Sequence, residues 1–236
     1  VRAIAPDDSD HIVEIGPGEG ALTHALISGE CRLDAIELDR DLRTHLLAAF
    51  STYSGFTLHS TDALDFDFAS VATAGTRLRV VGNLPYNIST PLIFKLLEQT
   101  QIISDMHFML QLEVVERLAA SPGSKDWGRL GVMAQFRCEI EQLFEVSPEA
   151  FHPPPKVRSA VVRLTPHPEP PFPNVDPTSL ARVVTQAFSQ RRKTLRNNFK
   201  GKMKDSDFGG LAIDPSARAG ALSIADFVAI AAHLQG

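Results

Sequence analysis

From His11 to about Gln111 the chain alternates short apolar or β-branched runs with amphipathic stretches, and this rhythm constrains the fold more than any other feature. His11-Ile12-Val13-Glu14-Ile15, Leu33-Asp34-Ala35-Ile36-Glu37, Phe56-Thr57-Leu58-His59, Leu78-Arg79-Val80-Val81 and Met106-His107-Phe108-Met109-Leu110 each read as a buried strand. Ala21 to Ile27, Arg40 to Phe50, Pro91 to Gln99 and Leu112 to Ala120 read as helices between and after them. Strand and helix in regular alternation predict an α/β chain with a parallel sheet covered on both faces. Leu130 to Phe136 continues as helix, and Cys138 to Val146 and Ser159 to Leu164 read as two further strands. Pro153-Pro154-Pro155 is the expected turn of an edge hairpin between them. Pro166 to Pro177, with six prolines, is the expected linker. Leu180 to Gln190, Arg191 to Lys200 and Ser223 to Leu234 then predict a small all-α unit, dividing the chain into 1–167 and 168–236. Trp127 is expected in a surface loop, Met106 and Met109 in the core.

Composition narrows the function classes. No apolar run reaches the roughly 18 residues of a membrane span, and two cysteines, Cys31 and Cys138, are too few for a disulfide framework or a structural zinc site. No histidine pair has metal spacing, so neither a metal nor a membrane is expected, and a reducing cytoplasm is the natural setting. Residues 1–167 carry net −8 and residues 168–236 net +3, although the whole chain is −5. Arg182 to Lys204 holds eight basic residues and no acidic one. A local positive surface on an acidic protein points to a polyanion met by one face, with Arg191, Arg192, Lys193, Arg196 and Lys200 as its contacts.

Glu14-Ile15-Gly16-Pro17-Gly18-Glu19-Gly20 follows the first strand and opens the first helix, where glycine lets backbone approach a ligand. Gly16 to Ala21 also satisfies the loose dinucleotide pattern, so an NAD enzyme is a rival on this segment alone. Glu37 ends the second strand, placed to accept ribose hydroxyls, and Asp62 with Ala63 follows the third, placed to accept from an adenine amine; a helix N-cap is the plain alternative for Asp62. Gly82-Asn83-Leu84-Pro85-Tyr86-Asn87-Ile88-Ser89-Thr90 follows the fourth. An adenine N6 amine is a poor nucleophile because its lone pair is delocalised into the ring. Methylating it requires acceptors for both amine hydrogens, which the Asn83 side-chain oxygen and the Leu84 carbonyl can supply. Pro85 helps fix that carbonyl, and Tyr86 offers a flat face to a flipped base.

These motifs together resemble the ribosomal RNA adenine dimethyltransferases, in their KsgA-type small-subunit branch, over essentially the whole chain. The resemblance extends to Met106-His107-Phe108-Met109-Leu110-Gln111, Phe151-His152-Pro153-Pro154-Pro155-Lys156-Val157, Ser159-Ala160-Val161-Val162 and Ala187-Phe188-Ser189-Gln190-Arg191-Arg192-Lys193-Thr194. It implies a class I, Rossmann-like methyltransferase with a mixed seven-stranded sheet and a helical C-terminal domain. It implies S-adenosylmethionine as donor, S-adenosylhomocysteine as product, and dimethylation of two adjacent adenosines near the 3′ end of 16S rRNA in the 30S subunit or its precursor. It further implies Glu14, Gly16, Gly18, Glu37, Asp62, Ala63 and Asn83 at the cofactor, and Asn83, Leu84, Pro85, Tyr86 and Phe151 at the target base. A monomer is expected. The family carries a basic N-terminal segment with a Gln-Asn-Phe-Leu motif, absent before Val1, and weaker cofactor and RNA affinity is expected without it. The rival readings are an erythromycin-resistance type enzyme acting on large-subunit rRNA, a DNA adenine methyltransferase, and an assembly factor that methylates only as a release signal.

Overall fold

The computed structural model describes residues 1–73, 75–151 and 157–235. The Pro153-Pro154-Pro155 turn and His152 and Lys156 beside it lie outside those residues. The alternation resolves into β1 (His11–Ile15), α1 (Ala21–Ile27), β2 (Arg32–Ile36), α2 (Arg40–Phe50), β3 (Phe56–His59), β4 (Leu78–Asn83), α3 (Ser89–Leu97), β5 (Ile103–Gln111) and α4 (Leu112–Leu118). There follow α5 (Arg129–Arg137), β6 (Cys138–Val146), β7 (Ser159–Pro166), α6 (Pro177–Phe188), α7 (Leu195–Asn198), α8 (Asp205–Gly210) and α9 (Ile224–His233). One seven-stranded sheet runs β3-β2-β1-β4-β5-β7-β6. β1 to β5 pair in parallel, and β7 enters antiparallel to β5. The mixed sheet is the expected one, with β6 rather than β7 at the rim.

Burial follows position in the sheet: the central strands are buried, whereas β3, expected to be buried, is only partly so at one edge and β6 is mostly open at the other. All five residues of β1 are buried, as a central parallel strand covered on both faces requires. Asp34 on β2 is the polar exception: its two carboxylate oxygens each face a histidine nitrogen, from His11 and His59, at 2.6 Å. Those contacts hold the Asp34 carboxyl below its ordinary range against the burial that would raise it. His11 and His59 are therefore strand histidines with a structural partner. Cys31 and Cys138 are buried free thiols, and Met106 is fully buried.

The chain divides into a unit of residues 1–115 with 139–166, which holds the sheet, and a helical unit of residues 116–138 with 167–236. The expected boundary near 167 accounts for one crossing; residues 116–138 group with the C-terminal helices instead. Trp127 explains why. Far from occupying a surface loop, it is fully buried, and its indole N–H donates to the Leu222 carbonyl at 2.9 Å. The proline-rich segment is likewise pinned to this unit, with Phe172 stacked on Phe136 at 6.1 Å and the His167 amide donating to the Arg137 carbonyl.

The basic segment also departs from expectation. α6 stops at Phe188, residues 189–193 are turn and bend, and only Leu195–Asn198 is helical. The buried Asn198 amide donates to the Ala187 carbonyl at 2.6 Å, satisfying the exposed end of α6 and folding the chain back. The short helix α8 was not anticipated.

Candidate active site

The strand order reverses between β1 and β4, and in an open α/β sheet the crevice outside the strand ends at that point is where ligands bind. A cavity of about 840 Å³ opens there, within the size range of small-molecule sites. Gly16 and Gly18 form its lip with φ of +65° and +59°, a conformation that disfavours any side chain. A Cβ on Gly16 would stand 4.0 Å from the Asn83 carbonyl oxygen, so the ends of β1 and β4 bring the glycine loop and the Asn83 motif together. Gly82 serves the same approach from the other strand: a Cβ there would come within 2.5 Å of the Ile15 carbonyl.

Glu14, Gly16, Gly18 and Asn83 of the expected set line this cavity, with Pro17, His107, Met109, Phe144 and Val161. Glu14 is almost wholly buried and accepts from the Thr23 hydroxyl at 2.7 Å. Burial pushes its carboxyl up to about 7, the Thr23 bond opposing only in part. Glu37 is not among the lining residues, yet it joins the site through the backbone. One of its oxygens accepts from the Gly18 amide at 3.3 Å and the other from the Asp39 amide at 2.9 Å. The carboxylate is thereby aimed beside the glycine loop with lone pairs to spare.

Asp62 and Ala63 also lie off the cavity wall. Asp62 accepts from the Leu64 amide at 2.8 Å while the Asp65 and Phe66 amides donate to its carbonyl, so it caps a single turn, close to its plain alternative, although no full helix follows. Asn83 is exposed at the end of β4, and among the described residues its side chain makes no hydrogen bond. Leu84 is buried, its amide donating to the Met109 carbonyl at 3.2 Å, while Pro85 accepts from the Ile88 and Ser89 amides and closes the turn. α3 then starts without a side-chain cap, because Ile88 at its N-cap has no polar side chain, and the Ser89 hydroxyl donates back to the Tyr86 carbonyl. Tyr86 is 40% exposed, its hydroxyl 3.2 Å from that of Ser159. Phe151 is half-buried, outside the cavity lining.

His107, Phe144 and Val161 are among the lining residues that escaped sequence reasoning, as are Arg2 and Leu22. Met109, expected in the core, is half-buried on the same wall. The missed signal was alternation, because His107 and Met109 are two apart on one strand and so share a face.

In the helical unit the five expected cations separate. The Arg191 guanidinium donates to the Lys125 and Trp127 carbonyls, and Arg196 pairs with Asp205 at 2.6 Å. Arg192, Lys193 and Lys200 are exposed, with no ion pair among the described residues. No helix is long and apolar enough to cross a membrane, and no cluster of metal-ligating side chains occurs, in each case among the described residues.

Fold and cavity together define a Rossmann-like methyltransferase. A family model described as ribosomal RNA adenine dimethylase matches residues 1–235. The ribosomal RNA small subunit methyltransferase A of Pseudomonas aeruginosa is 57% identical over 234 residues, spanning 99% of this chain and 87% of the relative. The protein of that name from Saccharophagus degradans is 57% identical over 228 residues, 97% of this chain and 85% of its own. Among solved structures, a dimethyladenosine transferase from Plasmodium falciparum superposes with a TM-score of 0.80 at 24% identity, covering 95% of this chain and 90% of that one. The 23S rRNA methyltransferase ErmE gives 0.74 at 22%, covering 99% and 95%. These two likenesses speak to fold. The chain belongs to the ribosomal RNA adenine dimethylase family.

Proposed function

We propose that this chain transfers methyl groups from S-adenosylmethionine to the N6 amines of two adjacent adenosines in the 3′-terminal hairpin of 16S rRNA, within small-subunit ribosome biogenesis. The observation that carries the reading is Asn83, whose unpaired side chain ends β4 on the same cavity as Glu14 and the glycine loop. Relatives named for the small subunit favour that subunit over the large-subunit alternative.

The residues present fit the donor. Gly16 and Gly18 leave room for it, Glu37 keeps carboxylate lone pairs for ribose hydroxyls, and buried Glu14 faces its ammonium end. Asp62 and Ala63 bound the adenine end. When bound, S-adenosylmethionine supplies an electrophilic methyl on a sulfonium.

The protein then has to turn the amine's lone pair toward that methyl. Asn83 accepts one N6 hydrogen through its side-chain oxygen and Leu84 accepts the other through its carbonyl, drawing the nitrogen out of conjugation. The turn closed at Pro85 holds both acceptors at a fixed spacing. Tyr86, exposed beside them and tethered through its hydroxyl, and Phe151 bracket the base. Each transfer forms an N–C bond as the S–C bond breaks, releases S-adenosylhomocysteine and gives up one N6 proton to solvent; after the first, the single remaining hydrogen is held by one of the two acceptors for the second. Arg192, Lys193 and Lys200 meet RNA phosphates, while Arg191 and Arg196 hold the fold that presents them.

The test is tritium transfer from labelled S-adenosylmethionine to under-methylated 30S particles. Incorporation into 16S rRNA supports the reading, and none from a chain that binds both donor and particle counts against it, favouring an assembly role.

A further inference from the structure

His107 is buried on the cavity wall, 4% exposed, and neither ring nitrogen has a hydrogen-bond partner among the described residues. A buried imidazole cannot go unpaired without cost, and a group occupying the cavity is the natural partner. On one side Asp105 comes within 3.4 Å of Nδ1, and against the burial that would raise it this approach, with Arg79, holds the Asp105 carboxyl below its ordinary range; Nε2 is left with nothing to bond beside it among the described residues.

Register identifies what His107 faces. Glu14 on β1 lies opposite Val81 on β4, and Val81 lies opposite His107 on β5. The three form one row on one face, placing Glu14 and His107 two strand spacings apart, roughly 10 Å. An α-amino acid with a hydrogen bond of about 3 Å at each end bridges that gap. Its charges are opposite in sign, and so are the preferences of the two ends of the row: an acceptor carboxyl and a donor imidazole. The other charged groups on the wall, Arg2 and Glu19, are exposed at the mouth.

Resting on the reading of this cavity as the donor site, we propose that His107 binds the carboxylate of the donor's amino-acid tail while Glu14 takes its ammonium. The row then works as a ruler for the tail, setting how far the sulfonium stands from Asn83.

Calorimetric titration separates this from a merely structural histidine. The ligands are S-adenosylhomocysteine, 5′-methylthioadenosine, which lacks the tail, and decarboxylated S-adenosylmethionine, which keeps the ammonium alone. His107→Phe should weaken S-adenosylhomocysteine about tenfold or more, leave the other two within twofold, and His107→Asn should recover part of the loss. Equal losses for all three ligands, no loss for any, or the selective loss appearing in Arg2→Ala instead would overturn the proposal. Should the wild-type chain bind none of them, the donor-site reading falls with it. As a readout independent of the variants' folding, the His107 ring nitrogens of the wild-type chain should shift in a 15N spectrum with S-adenosylhomocysteine and stay put with 5′-methylthioadenosine; identical shifts with both would contradict the assignment.

Discussion

Asn83 stands at the end of β4 with its amide unpaired, so its removal should subtract chemistry and little else. Asn83→Ala is expected to abolish transfer to rRNA while S-adenosylhomocysteine binding stays within a few-fold of wild type, as titration beside a transfer assay would show. Glu14 makes a different prediction. Its folded-state value near 7 lies above the unfolded one, so the folded chain holds this proton more tightly, and stability falls as pH rises from about 4.5 through 7. The full loss is about 3 kcal/mol. Denaturant unfolding across that range should show the decline in the wild type and a flatter profile in Glu14→Gln. Much of the site was legible because its parts are local in sequence: a glycine loop after one strand, an Asn-Leu-Pro-Tyr block after another. His107 was not, because a histidine in a buried strand reads as packing. Its meaning arises from register with Val81 and Glu14, on strands far from it in the chain.

At the scale of elements, the central strands and their helices followed from hydrophobic periodicity, while the basic segment did not. Its helical composition is overridden by Asn198, which turns the chain at the end of α6, a contact with no signature in local propensity. The consequence is a split among cations that look alike in sequence. Arg192→Ala with Lys193→Ala should weaken rRNA binding and reduce the slope of log affinity against log salt by roughly 2. Arg191→Ala should instead lower the stability of the helical unit, since its guanidinium ties residues 125 and 127 to the basic turn. An unchanged salt slope in the double variant would remove this surface from the interface. Trp127, set among polar residues, gave no periodic signal of burial. Its indole bonds a carbonyl 95 residues away. Trp127→Phe leaves that carbonyl unpaired, and urea unfolding should register a loss of about 1–3 kcal/mol.

Over the whole molecule, one unit holds the sheet and its cavity and the other is helical and carries the net positive stretch. The sheet unit is acidic, so under the proposed function phosphate attraction would fall to the other unit's exposed lysines and arginines. The expected domain boundary erred at residues 116–138 because that segment's partners lie late in the chain, where linear order gives no warning. The most direct measurement is mass spectrometry of the 16S rRNA 3′-terminal hairpin after under-methylated 30S particles are incubated with S-adenosylmethionine and either the wild-type chain or Asn83→Ala. The account predicts N6,N6-dimethyladenosine at two adjacent positions with the wild type and unmodified adenosines with the variant. Equal modification by both, or methyl groups found elsewhere than on adenine N6, would contradict it.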